Sequence, residues 1–379
     1  MRAAQRKQPD DRVLTRRQLV SITALACLGS AGFLLGGCAS SPTQDPGSAS
    51  GQTASGSTVP SAGKPSGTTV RQIPKAAQRF DEISTTLFAF DTVVTLKASC
   101  AQETLDALAD RCQYFESIFS RTIKTSDIGR INAAGGKAVE VAPETADIVN
   151  KALAYCEESE GRFDITIGAV SSLWDFKDGV VPDSDELAQA VKHVNYKNVK
   201  VDGTMITLLD PEAKLDLGGI AKGYIADDLC QQLIGAGCDS GFVNLGGNVK
   251  TVGLKPDGSE WHVGIQDPND VEGTVVAAVY SQDESAVTSG LYERQFVKGG
   301  RKYWHILDPK TGYPVETDLV SATIISDASI DGDGYTKPLF MMGHDEALAW
   351  IDAKDGIEGL VVGLDGKITQ SAGCNAEVL

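Results

Sequence analysis

The chain has 379 residues, with 51 Asp and Glu against 34 Lys and Arg, giving a net charge of -17. Hydrophobic residues make up 42% and glycines number 40, a balance that excludes collagen, coiled coil and global disorder and argues against a multi-pass membrane protein. The acid excess argues against nucleic-acid binding, which needs basic patches to neutralise phosphates.

The charge is a sum over unlike zones. Residues 1–38 hold six basic residues and two acids, and without them the remainder stands at -21. There, Thr15-Arg16-Arg17-Gln18-Leu19 leads into an apolar run that ends at Leu35-Gly36-Gly37-Cys38. The run is about 17 residues long with Ser and Gly inside, which suits a signal peptide better than a stable span of about 20 residues. The Arg pair fits part of a twin-Arg export signal, with Val20 after Leu19. Leu-Gly-Gly-Cys looks like a bacterial lipobox with Cys38 as the lipidated residue; the alternative is an uncleaved membrane anchor. Either reading puts the rest of the chain outside the cytoplasm, tied to the membrane. Residues 39–75 are rich in Ser, Gly, Thr, Pro and Ala and cannot bury enough surface to offset their ordering entropy, so they read as a disordered tether.

Residues 76–379 form the globular part, and a region of about 300 residues buries enough surface for a self-sufficient core. Phe88–Ala98 is β-rich. Thr104–Phe119 is helical, with Leu105, Leu108, Cys112, Phe115 and Phe119 on one face. Pro143 opens a helix that runs to Glu158, as Pro favours a first helical turn. Asp183–Val194, Ile220–Ile234 and His344–Ala353 are further helices. Phe242–Leu245, Trp261–Ile265, Val275–Ser281, Val320–Ile325 and Leu360–Gly363 read as strands. Helices and strands mix without regular alternation, so the fold class is α+β in one large domain.

Six cysteines (100, 112, 156, 230, 238 and 374) lie in this part without CxxC pairs or zinc-finger histidines, and buried free thiols are the expected state. The glycines of Gly235–Gly241 have the wrong spacing and the wrong side of a helix for a dinucleotide fingerprint. Asp327–Asp333 resembles half an EF-hand loop, but Pro338 stands where the bidentate Glu belongs. His193 and His344 read as surface residues.

Five glycine-punctuated polar segments carry the chemistry: Phe119–Asn132, Gly161–Gly168, Leu215–Tyr224 (LDLGGIAKGY), Ala286–Arg294 and His305–Gly312, with Asp331–Thr336 following. Asp216-Leu-Gly-Gly sets a carboxylate and two bare backbone positions before a helix N-terminus, whose free N–H groups and positive dipole end suit phosphate oxygens. Lys222 in that first turn opposes the dipole, and an anionic ligand explains it. Asp333, Thr336 and the Gly219 carbonyl are hard oxygen donors suited to Mg²⁺ shared with substrate phosphates. His305 is a candidate base or orienting group. Plainer readings stand beside these: Asp216 as a helix cap, Lys222 as a solvated charge, His305 as a core histidine, Thr288-Ser289-Gly290 as a loop, Asp333-Gly334 and Asp308–Gly312 as turns, and Phe163 and Trp174 as core.

Taken in order over residues 83–373, these segments resemble the FAD:protein FMN transferase (ApbE) family. The resemblance implies a T-fold-like domain of sheets flanked by helices in an exported, often lipid-anchored enzyme. Such an enzyme uses FAD and Mg²⁺ and moves FMN onto a Thr or Ser hydroxyl of an acceptor flavoprotein of extracytoplasmic electron transfer, releasing AMP. Some relatives mainly hydrolyse FAD. It implies cofactor contacts at Phe90, Thr122, Arg162, Phe163, Asp164, Asp216, Lys222, Thr288, His305 and Ile306, and metal contacts at Gly219, Asp333 and Thr336. His305 and Asp333 take the catalytic roles, and a homodimer is compatible with the pattern. Two departures stand out. Phe90-Asp91 replaces Met-Gly, and Lys337 stands where the family has a metal-binding Thr, so that either Thr336 takes over by a one-residue shift or Lys337 occupies charge space near the metal and weakens Mg²⁺ binding. The rival classes are a non-catalytic flavin-binding lipoprotein and a transporter's solute-binding lipoprotein.

Overall fold

The computed structural model describes residues 80–270 and 273–379. The expected signal peptide, Cys38 and the tether lie outside the described residues. None of the helices among the described residues is long and apolar enough to cross a membrane.

The β-rich stretch around Phe90 is a hairpin of two strands, β1 (Glu82–Ala89) and β2 (Thr92–Ser99), paired Ala89 to Thr92 across a two-residue turn. Both turn residues, Phe90 (φ 55°) and Asp91 (φ 59°), sit in the left-handed region that a two-residue hairpin turn demands. A bulky Phe there is unusual and is held by neighbours: the Phe90 N–H donates to Glu116 Oε1 at 3.2 Å, and Asp91 pairs with Arg294 at 3.2 Å.

Helix α1 (Gln102–Phe119) buries Leu105, Leu108, Cys112, Phe115 and Phe119, the five residues its sequence places on one face. Phe115 is fully buried, and truncating such a side chain to Ala costs about 3–5 kcal/mol. After it come α2 (Asp127–Ala133), capped by the Ser126 hydroxyl accepting from the Gly129 N–H, β3 (Val139–Glu140), α3 (Pro143–Glu158) and the short α4 (Gly168–Ser171). Asp183 caps α5 (Ser184–Val191). Strands β4 (Val199–Asp202) and β5 (Met205–Leu208) complete a small antiparallel sheet with β3.

Helix α6 (Ala221–Gly235) leads into β6 (Ser240–Leu245), β7 (Asn248–Gly253), β8 (Trp261–Gln266), β9 (Val275–Ser281) and β10 (Ser285–Gly290). A hairpin of β11 (Gln295–Lys298) and β12 (Arg301–Trp304) precedes β13 (Leu319–Ser326), α7 (Ser329–Met342) and α8 (His344–Asp352). Strands β14 (Ile357–Gly363), β15 (Ile368–Gln370) and β16 (Glu377–Val378) close the chain.

The main sheet has eight strands in the order β1-β2-β6-β7-β10-β13-β14-β15, every neighbour antiparallel. Period-two alternation divides its core. Ile324 and Val361 face the helical side with Phe115, Leu339 and Phe340. Ile325, Leu360 and Val362 face the opposite side, where Ile265 and Val279 of the β16-β9-β8 sheet cover them. A satellite core gathers Trp174, Leu187 and Leu307, and the Trp174 indole N–H donates to the Gly312 carbonyl at 3.0 Å.

Two segments differ from the sequence expectation. Asp331-Gly-Asp-Gly is the first half of helix α7 and not a turn. Its glycines and Pro338 look like helix breakers, yet the space explains the glycines. A Cβ at Gly332 would lie 2.4 Å from Val287, and one at Gly334 would lie 2.5 Å from Tyr155. Thr288-Ser289-Gly290 is the end of strand β10, not a loop. Asp308–Gly312 is a turn, with Asp308 Oδ1 accepting from the Lys310 N–H at 2.8 Å and its carbonyl from Gly312. The described cysteines are all unbridged, five of them buried.

Candidate active site

Helices α6 and α7 grip each other at two points. Asp227 of α6 caps α7, accepting from the Ser329 N–H at 2.8 Å and the Ile330 N–H at 3.0 Å. In return Asp333 of α7 offers Oδ2 to the Gly223 N–H in the first turn of α6, at 2.7 Å. Gly223 makes the approach possible, since a Cβ there would stand 2.4 Å from the Ser329 carbonyl oxygen.

That contact brings the α6 N-terminus, with Lys222 and the Gly218-Gly219 turn, against Asp333 and Lys337. Lys337 lies one helical turn beyond Asp333 and reaches back to Oδ1, with Nζ at 2.8 Å and a side chain 18% exposed. Its stem passes Gly219, where a Cβ would sit 4.0 Å from Lys337 Cε. Burial lowers the pKa of the Lys337 ammonium, and Asp333 opposes that shift.

His305 follows β12, its N–H donating to the Arg294 carbonyl at 3.1 Å. Its Nδ1 is buried without a hydrogen-bond partner. Burial pushes its pKa down to about 3, and the positive charges of Arg294, Lys337 and Lys222 add to that shift. The imidazole is therefore neutral, with three cations around it. Glu293, beside Arg294, stands within the field of the same three. Lys337 is paired with Asp333 and Arg294 with Asp91, and Lys222 lies in the first turn of α6, whose N-terminus suits an anion.

Asp216 is tied in before α6. Its Oδ2 accepts from the Ser171 hydroxyl at 2.7 Å and pairs with Arg121 Nε at 3.0 Å, and Oδ1 accepts from the Gly218 N–H at 2.9 Å. It fixes the Gly218-Gly219 turn and does not cap α6, whose preceding residue is Ile220. Thr122 is exposed beside Arg121 and shares its hydroxyl with Ser120 at 3.0 Å.

Other expected contacts have structural employment. Asp164 is buried and accepts from the Thr166 N–H and hydroxyl and from the Tyr196 N–H, at 2.8, 2.6 and 2.9 Å, so it closes a turn. Phe163 is 7% exposed, with its ring edge 3.0 Å from where a Gly219 Cβ would be, and acts as the floor of that turn. Arg162 pairs with Glu160 and with Glu346 of α8. Thr288 bonds Thr323 across β10 and β13 at 2.8 Å. Ile306 is core, and its carbonyl accepts from the Val315 N–H. Phe90 is half-buried at its hairpin tip, whose Asp91 joins Arg294.

The donors expected to hold Mg²⁺ do not fit a divalent ion. Asp333 has one oxygen on Gly223 and the other on Lys337. The Thr336 hydroxyl is fully buried and bonded to the Ser289 hydroxyl at 2.9 Å. The Gly219 backbone faces the stem of Lys337. Mg²⁺ demands near-octahedral oxygen donors, and the Asp333 carboxylate here carries an ammonium.

Arg121 lies in the Phe-Ser-Arg stretch ahead of Thr122 that the resemblance ties to the cofactor, Glu293 and Arg294 end the Ala286–Arg294 segment, and Ser171 lies outside all five segments.

The match to a protein-family model described as "ApbE family" covers residues 90–361. A FAD:protein FMN transferase of Treponema pallidum is 33% identical over 279 residues, covering 69% of this chain and 77% of the relative. One from Klebsiella pneumoniae is 33% identical over 266 residues, covering 68% and 82%. The crystal structure of the ApbE protein from Thermotoga maritima superposes with a TM-score of 0.72 at 32% identity, over 77% of this chain and 97% of that one. The apo flavinyl transferase ApbE of Pseudomonas stutzeri gives 0.69 at 25%, over 78% and 96%.

Proposed function

The chain belongs to the ApbE family, and on that premise we propose that it is a FAD:protein FMN transferase acting on exported flavoproteins. The observation that carries the reading is the α6 N-terminus, with Lys222 and the Gly218-Gly219 turn, set against Asp333 and Lys337 through the Gly223 N–H and the Lys337 ammonium. Lysine side chains at a helix N-terminus suit a pyrophosphate.

In the proposed reaction the hydroxyl oxygen of an acceptor Thr or Ser bonds to the phosphorus on the FMN side of FAD. The bond from that phosphorus to the bridging oxygen breaks, and AMP leaves with the oxygen. The hydroxyl proton passes to water, and His305, kept neutral by burial and with its Nδ1 unpartnered, serves to orient the hydroxyl. Catalysis rests on positioning and on charge stabilisation of the phosphoryl oxygens, the main terms in phosphoryl transfer. The Mg²⁺ implied by the resemblance has no suitable donor set at Asp333, whose oxygens are held by the Gly223 N–H and the Lys337 ammonium. The export signal and lipobox at Cys38 support an extracytoplasmic, membrane-anchored enzyme.

Incubation with FAD and a Thr-containing acceptor flavoprotein should give the acceptor a mass gain of one FMN less water and release AMP in equal amount. FMN and AMP without acceptor labelling would make the protein a FAD hydrolase. Bound FAD that stays intact would make it a flavin carrier.

A further inference from the structure

In the expected donor set, one carboxylate oxygen of Asp333 is already taken by a side chain of this protein. Lys337 Nζ lies 2.8 Å from Asp333 Oδ1, its stem runs past Gly219, and the other Asp333 oxygen is held by the Gly223 N–H at 2.7 Å. The Thr336 hydroxyl, the remaining expected donor, is fully buried and turned to Ser289. The spacing of Asp333 and Lys337 along α7 puts both on one helical face, so the pairing needs no unusual backbone.

We propose that the Lys337 ammonium is the resident cation of this site: seated on Asp333 over the Gly219 turn, it grips the FAD pyrophosphate in place of Mg²⁺, and FMN transfer runs without a divalent metal. The inference rests on the transferase reading above. An ammonium is a compact point charge with three donors. One is spent on Asp333, leaving two for phosphate oxygens. Its single charge is half that of Mg²⁺, and the α6 N-terminus with Lys222 in its first turn adds positive potential beside it. The side chain as a whole is 18% exposed. Because the charge is covalently attached, neither its presence nor its position depends on solution metal.

The test uses the full chain stripped with EDTA. Mg²⁺ alone is titrated by calorimetry with and without FAD, FAD affinity is measured by flavin fluorescence, and transfer to an acceptor is followed by intact mass. In the wild type we expect no stoichiometric Mg²⁺ binding, and FAD affinity and transfer rate within about twofold between EDTA and saturating Mg²⁺. Lys337→Thr frees an Asp333 oxygen and adds a hydroxyl. It should bind one Mg²⁺ and require it, with FAD affinity in EDTA reduced about 10- to 100-fold, the size of one charge-assisted hydrogen bond. Lys337→Met should lose the same affinity without rescue by Mg²⁺. Stoichiometric Mg²⁺ binding by the wild type, or a tenfold rise in its rate or FAD affinity on adding Mg²⁺, overturns the proposal. These metal readouts judge Lys337 even if no acceptor is labelled, a result that would count against the transferase reading alone.

Discussion

Arg121 Nε lies 3.0 Å from Asp216 Oδ2, an ion pair that binds the loop after α1 to the turn before α6. Through it, and through Ser171 and Gly218, one carboxylate holds three segments far apart in sequence. The side chains are about a third and a sixth exposed, so the pair is partly shielded from solvent.

Asp216→Ala removes every one of these contacts and should weaken FAD binding about 10- to 100-fold. Asp216→Asn keeps an acceptor for the Gly218 N–H and should fall between it and the wild type. Arg121→Ala should resemble Asp216→Asn. Fluorescence titration with FAD gives the ranking, and equal affinities for all three variants would remove the turn from the binding site.

His305 predicts a pH signature. Its folded pKa, about 3, lies below its ordinary value of about 6.5, so the unfolded chain takes up the proton first. The contribution of this group to stability is intact above pH 6.5 and declines as pH falls toward 3. Melting temperature should drop more steeply from pH 6.5 to 4 in the wild type than in His305→Gln. Parallel curves would contradict a neutral buried imidazole. Transfer rates should show no inflection from His305 between pH 5 and 8.

Asp164 should behave as a fold residue. Asp164→Ala leaves the Thr166 and Tyr196 N–H groups without their acceptor and should lower stability by about 1–3 kcal/mol. In the fraction that stays folded, FAD affinity should be unchanged. Denaturant unfolding and FAD titration of the same sample separate the two effects, and a selective loss of affinity would return Asp164 to the cofactor.

Gly223→Ala tests the helix contact. The added methyl would stand 2.4 Å from the Ser329 carbonyl oxygen and 2.6 Å from Ile330 Cα, and backbone cannot step aside as a flexible side chain would. The helices must separate, at a cost of about 1–3 kcal/mol. Asp333 would then lose its N–H partner, so transfer should fall together with melting temperature. A fully stable, fully active variant would rule out the tight approach.

Where amphipathic spacing is strong, the sequence was readable. Helix α1 shows its buried face in five residues, and Pro143 marks the start of α3 correctly. Helix α7 was not readable, because Gly332, Gly334 and Pro338 argue locally against a helix, and the reason for the glycines lies in Val287 and Tyr155, far away in sequence. The site divides in the same way. LDLGGIAKGY announces itself because bare backbone before a helix is a local pattern. Arg121 and Arg294 carry no local sign, since an exposed charge looks the same wherever it lies. Asp164 is ambiguous for the complementary reason: a carboxylate in a turn has one appearance whether it serves a ligand or the chain.

The reciprocal grip of Asp227 on the start of α7 and of Asp333 on the start of α6 has a historical consequence. Asp333 is aimed by a backbone N–H of the neighbouring helix, independently of whatever positive group lies before its other oxygen. A lineage can therefore exchange one kind of cation for another by a single substitution one turn along α7, with the carboxylate already in position and the two helices unmoved.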